Sequence, residues 1–459
     1  MDLENQNRKP NKRGLIIRIM RVKTFFKKIG SLIVTKEIFE DKKSLRTLYR
    51  YFLIGLLIRF IFLPFFFQRD LLSTYQRAAE TISTGDFGFD NQQFLTNMIH
   101  CIYLFIIKFI FPAINQLFSV LLEKDTWISW ISFNSSYNVF TVLTLFKIPY
   151  LIFDIACMFL ILRLSFDGEP ENKLRVFKYW IFNPVVIFVL YIFARHDIIG
   201  VLAILVALLL AKKDRKYWAI IVLAFGIALR FFPVMILPIL VFYLVRTKKD
   251  YIILSLVGVS GLVAVEFFSY FYFGKSVIFP LLNTQHFDYL LSPKLELVIG
   301  SHSSIFIFVA VYIVIILSFL HIKRKSFDIL LNYCAIIYLA YVGICYFHPQ
   351  YMIWIVPFLI IIFVRRKSLL YYHWIQFALL MVILIYWGDL VTKFVFAPID
   401  HKYFVYLTGI IPIIERFYDS AKFVNIFRSI FTGVSLWMIY LIYKDNKKIL
   451  SDELKNREN

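Results

Sequence analysis

The chain has 459 residues, of which 60% are hydrophobic and 51 are Phe, and its mean hydropathy is +0.71. No soluble domain needs that much apolar surface, so the composition indicates a polytopic membrane protein. The formal charge of +21 does not argue for nucleic acid. The bases fall in short runs between apolar segments, at Lys212–Lys216, Arg246–Asp250, Lys323–Lys325 and Arg365–Lys367. Cytoplasmic loops carry such runs under the positive-inside rule.

In chain order, residues 1–47 form a basic cytoplasmic arm. Within it LIIRIMRVKTFFKKIGSLIV sets Ile16, Ile19, Met20, Phe26 and Ile29 among Arg18, Arg21, Lys23, Lys27 and Lys28. That pattern fits an amphipathic helix on an anionic leaflet, or a partly ordered tail. The first apolar run, about 48–67, carries Arg59 in mid-span, where it is expected to pair inside the bundle. Arg69 and Asp70 follow at once, which puts a carboxylate at the membrane–water boundary, where such groups tend to be functional.

The run 97–122 is interrupted by Lys108, Pro112, Asn115 and Gln116. If it spans, the four basic runs all land outside; if it lies at the interface or re-enters, all four are cytoplasmic. Residues 68–137 are therefore expected to form one large outer loop. The other apolar runs are 138–163, 178–194, 197–211, 217–230, 233–246, 251–273, 304–321, 327–346, 350–364, 369–390 and 429–443. With the first they make about twelve spans, the transmembrane domain covering 48–443 and the tail 444–459. Both termini are then cytoplasmic, and Asp70, Arg195, His196, Asp197, Arg230, His348 and Gln350 come out on the exoplasmic side.

Several of these residues are costly near hydrocarbon. Lys147 and Asp154 in FKIPYLIFDIA are seven apart, on one helical face and about 10 Å along the axis. They read as a structural charge pair, or as a cavity lining in which Lys147 meets a substrate phosphate. The Arg195–His196–Asp197 run joins two spans with almost no linker, and it is either a solvated hairpin or an anion site. Arg230 before FFPVMILP either snorkels or joins that site. His348 has Gln350 and Tyr351 beside it, and Arg69 and Tyr75 flank Asp70. The four cysteines lie in apolar stretches without metal-ligand spacing, and no nucleotide or zinc motif is present.

Taken together, the outer-loop carboxylate, KIPYLIFD, Phe182–Pro184, the run from ARHDIIG to FFPVMILPI, and HPQYMIWIVP resemble membrane glycosyltransferases of the GT-C superfamily. The similarity covers about 45–445. It is closest to prokaryotic mannosyltransferase-like proteins that use polyprenyl-phosphate sugars, and more distant from the catalytic subunit of GPI mannosyltransferase I. The resemblance implies an all-α, GT-C-like bundle with a large helical first exoplasmic loop. It also implies transfer of a hexose, mannose or another, from a polyprenyl-phosphate donor to a glycolipid or cell-envelope glycan acceptor, with inversion at the anomeric carbon. Many relatives carry two close acidic residues in this loop. Here Asp70 stands alone, with Asp86 and Asp90 beyond a GDFGFD turn, which favours one catalytic carboxylate over a metal-binding pair.

On that reading Asp70 is the base, and Arg69, Tyr75, Lys147, Asp154, Arg195, His196, Asp197, Arg230, His348, Gln350 and Tyr351 contact substrate. No metal or cofactor is expected beyond the lipid-phosphate sugar as co-substrate. Membrane lipids are the other partners, no nucleic acid is expected, and no partner subunit is assigned. The location is the plasma membrane of a prokaryote, or the endoplasmic reticulum membrane of a eukaryote. The alternatives are a lipid or solute transporter, with Lys147 and Asp154 on its path, and an envelope polysaccharide polymerase or ligase.

Overall fold

The computed structural model describes residues 42–85, 94–123, 125–165, 170–274, 276, 285–297 and 303–458. The amphipathic segment 15–34, Asp86 and Asp90 lie outside the described residues. Within them the chain is helical almost throughout, apart from one antiparallel pair, Lys294–Glu296 with Ser304–Phe306.

Six helices are long and apolar enough to cross a membrane: Val139–Leu164, Pro170–Ile192, Lys248–Tyr272, Phe327–Ile344, Ser368–Trp387 and Ser420–Ser451. Phe94–Ile110, Ile198–Lys212, Lys216–Leu229, Phe232–Leu244, Ile307–His321 and Val356–Arg365 are apolar but shorter. A 15-residue helix reaches about 22 Å, less than a hydrocarbon core of about 30 Å. By length and composition the structure thus supplies six candidate spans of a helical membrane protein, against the twelve expected. The first apolar run becomes a helix over Lys42–Phe62 that ends before Pro64. The interrupted run 97–122 divides at Pro112 into helices Phe94–Ile110 and Ala113–Leu121, since proline there has no amide hydrogen to continue the ladder.

The Ile198–Lys212 helix packs on Lys216–Leu229 and on Val139–Leu164, and Lys216–Leu229 packs in turn on Lys248–Phe273. That last approach is close: a Cβ on Gly261 would lie 2.3 Å from the Ala224 carbonyl oxygen, so only glycine fits. Phe327–Ile344 is buried along most of its length and lies against the C-terminal helix Ser420–Glu458. By contrast, Lys248–Phe273 turns Phe267, Tyr270, Phe271 and Tyr272 outward, a face suited to lipid.

The intramembrane charges are not paired as their spacing suggests. Arg59 Nε donates to Asp154 Oδ2 at 2.6 Å, and Trp180 Nε1 and Tyr191 Oη donate to the same carboxylate at 2.7 and 2.6 Å. Lys147 Nζ instead donates to the backbone carbonyls of Leu63 (2.7 Å), Phe66 and Tyr191 (2.9 Å). An ammonium has three donors, so all are engaged. Lys147 thereby satisfies carbonyls that the end of the Lys42–Phe62 helix and the turn after it leave open. Both side chains thus tie helices together, and all three Lys147 donors are used within the fold.

Candidate functional site

The site is assembled at the start of the Arg69–Thr84 helix. Gln68 is its N-cap, accepting the Asp70 amide at 2.6 Å through its side-chain oxygen. Asp70 therefore has no capping duty. Its carboxylate, 43% exposed, meets Arg195 instead, with Oδ2 3.0 Å from Nη1.

Arg195 reaches that position through unusual backbone. After the Asn183-capped turn Pro184–Ile187 the chain winds into a π-helix, Phe188–Ile192, and then places Ala194 at φ 60°, in the left-handed region. Such segments cost free energy and concentrate at functional sites. The Gln68 backbone amide donates to the Phe193 carbonyl at 3.4 Å, which docks the two segments that carry Asp70 and Arg195.

Two residues further on, Asp197 is fully buried. Its Oδ1 accepts from Arg230 Nη2 at 2.7 Å and from Trp354 Nε1 at 3.1 Å, while its Oδ2 has no partner among the described residues. Arg230 leaves the Lys216–Leu229 helix in extended conformation, and its Nη1 donates to His196 Nε2 at 3.3 Å. The His196 ring lies 5.3 Å from that of His100. His100 Nδ1 donates to the Thr96 carbonyl at 2.7 Å, so its Nε2 accepts from the Tyr150 hydroxyl at 2.9 Å. A guanidinium N–H can only donate, so His196 Nε2 accepts and that ring is neutral.

Arg77 is the third guanidinium. It lies seven residues after Asp70, two turns along the same helix face, and the charges of Arg195, Asp70 and Arg230 all act on it. It has no hydrogen bond or ion pair among the described residues. Burial first, and then the Arg195 charge, lower its pKa from the ordinary arginine value. Three guanidiniums here face two carboxylates. Arg195 Nε is also buried without a partner among the described residues, so the cluster has both charge and donor capacity for an anion.

The remaining expected residues are distributed around this core. Tyr351 stacks on Trp354 at 4.0 Å, and Gln350 is buried with Oε1 unpartnered among the described residues. His348 sits within aromatic rings, with Tyr289, Tyr346, Tyr351 and Trp387 at 5.9–6.1 Å. Arg69 is half-buried and makes no side-chain bond among the described residues. Tyr75, expected to contact substrate, packs into the core. It is fully buried, stacked on Phe146 at 3.7 Å, with its hydroxyl on the Phe146 carbonyl at 2.7 Å. Lys147 and Asp154 are engaged in the helix ties already described.

Arg77, His100, Tyr150 and Trp354 do not stand out in the sequence as site residues. The i+7 spacing from Asp70 is the one signal that marks Arg77. His100 has only its place in the interrupted run 97–122, and Tyr150 and Trp354 lie inside apolar segments that carry no such mark. Among the described residues no group of three His, Cys, Asp or Glu side chains could hold a metal ion. No family model, curated protein or solved structure matches the chain.

Proposed function

We propose that this protein is a membrane glycosyltransferase of GT-C type that moves a hexose from a polyprenyl-phosphate carrier to a glycolipid or envelope-glycan acceptor. The observation that carries the reading is the half-exposed Asp70 carboxylate set against a cluster of three guanidiniums. In the reaction Asp70 takes the proton of the acceptor hydroxyl, and that oxygen bonds to the anomeric carbon. The bond from this carbon to the phosphate oxygen breaks, and the polyprenyl phosphate leaves with the electron pair. A positioned base contributes about 10²–10⁴-fold in rate. The developing phosphate charge is met by guanidinium donors in a partly desolvated site, where they act most strongly.

The topology belongs to the same proposal: twelve spans, cytoplasmic termini, and an outer loop 68–137 that holds Asp70 and Arg77 at the exoplasmic face. The transporter alternative relied on Lys147 and Asp154 as a path, and the bonds of both side chains to their own fold weaken it. The decisive experiment uses purified protein in detergent, where transport has no meaning. Labelled hexose is expected to pass from a polyprenyl-phosphate hexose to lipid or glycan acceptor. Folded protein that transfers none from any such donor would reject the reading.

Arg77 gives the cleaner test of the anion site. Arg195 and Arg230 each hold a carboxylate, and Arg230→Ala would strand the buried Asp197 as well as remove a phosphate donor. Arg77→Gln removes a charge that forms no direct ion pair among the described residues, although the Asp70 charge acts on it. A hydrogen bond to a charged group is worth about 1.5–3 kcal/mol, so donor use is expected to weaken about ten- to hundredfold. Kinetics against donor concentration measure it; an unchanged KM and kcat would take Arg77 out of the site.

A further inference from the structure

Away from the charged cluster, the end of the Ser368–Ile383 helix, the turn after it and the Ser420–Glu458 helix line a half-open cavity of about 210 Å³. Its walls include Tyr346, Tyr386 and Trp387, whose ring centroids lie 5.6–5.8 Å from one another. The residue after Trp387, Gly388, has φ 61° and ψ −148°, a conformation essentially closed to other residues. The polar lining comes from Asn425 and Arg428.

Arg428 is unusual. Its Nη2 donates to the Val342 and Cys345 carbonyls at 2.8 and 2.5 Å, and its guanidinium lies over the Phe347 and Phe431 rings at 4.5 and 5.4 Å. Nη1 is buried with no partner among the described residues.

We infer that this cavity binds one hexopyranose ring, and, resting on the proposed function, that this ring belongs to the acceptor glycan. A pyranose has apolar C–H faces that lie against aromatic rings and hydroxyls at its edge that require polar partners. The cavity offers both kinds of surface. An apolar lipid tail would use the aromatic faces but none of the polar groups that Asn425 and Arg428 bring to the lining. An anion finds one cation among the lining residues, and that charge already faces two carbonyls and two ring faces. The cavity also shares a wall with the proposed reaction site. Tyr346 and Trp387 lie 5.9 and 6.1 Å from the His348 ring, which is 5.9 Å from Tyr351, the neighbour of the Asp197 donor Trp354.

The experiment is ligand-observed saturation-transfer NMR on the full chain in detergent, with methyl α-D-mannopyranoside, methyl α-D-glucopyranoside and inorganic phosphate as probes. Saturation of hexoside ring protons is expected in the wild type and in Asp70→Asn, with no competition from phosphate. Trp387→Ala removes an aromatic wall and is expected to weaken hexoside binding about tenfold or more. Asn425→Ala, at an exposed and tolerant position, is expected to weaken it several-fold, which keeps the test open if Trp387→Ala does not fold. Absence of hexoside binding in the wild type, equal affinity in both variants, or displacement by phosphate would each overturn the inference. The two proposals fail separately. Hexoside binding at this cavity without sugar transfer rejects the enzyme and keeps the cavity. Transfer with an unchanged acceptor KM in Trp387→Ala and Asn425→Ala does the reverse.

Discussion

Asp70→Asn is expected to lower sugar transfer by about two orders of magnitude or more while the protein stays folded. Asparagine keeps the shape and can accept a hydrogen bond, but it cannot take a proton. The substitution isolates chemistry because Gln68, not Asp70, caps the Arg69–Thr84 helix. Its structural cost is the ion pair to Arg195. Arg195 is only 10% exposed, so the pair counts for more than a surface ion pair, and asparagine, which still accepts from Nη1, keeps part of it. The check is turnover of labelled donor beside a thermal melt of the same preparation. Near-normal transfer by the Asn variant would remove Asp70 as the base, and a large fall in melting temperature would show that its role is structural.

The second large effect lies in the bundle. Asp154→Ala is expected to destabilise the protein by about 3–5 kcal/mol, because it leaves the buried Arg59 charge uncompensated. It also removes the acceptor of Trp180 and Tyr191, so it is expected to cost more than Arg59→Ala, after which the carboxylate keeps two donors. Replacing both partners with apolar residues, as Arg59→Met with Asp154→Leu, is expected to recover much of the loss, since no buried charge is then stranded. The yield of monodisperse protein and its melting temperature in detergent measure all three. Single variants as stable as the wild type would mean that water reaches the pair.

How much of this is legible in the sequence follows from what each signal encodes. Hydropathy is a property of a segment, so composition alone marks a helical membrane chain, and Pro112 marks the break in 97–122 for a local, steric reason. The position of Asp70 just after the first apolar run, and of Arg195–His196–Asp197 between two such runs, can also be read directly. Periodicity goes one step further, placing Lys147 and Asp154 on one face of the Val139–Leu164 helix, and stops there. It does not say which helix that face meets. Only the packing decides that Asp154 lies against Arg59, Trp180 and Tyr191, while Lys147 lies against the carbonyls that follow the Lys42–Phe62 helix. Tyr75 goes into the core for the same reason, and Arg77, on the same helix, goes to the charged cluster. The approach of Arg195 to Asp70 needs a π-helix and a left-handed Ala194, conformations that no residue type in FVLYIFARHD announces. Spacing along a helix is a local quantity, whereas the partner of a buried charge is chosen by desolvation across helices distant in sequence, and that choice exists only in the folded bundle.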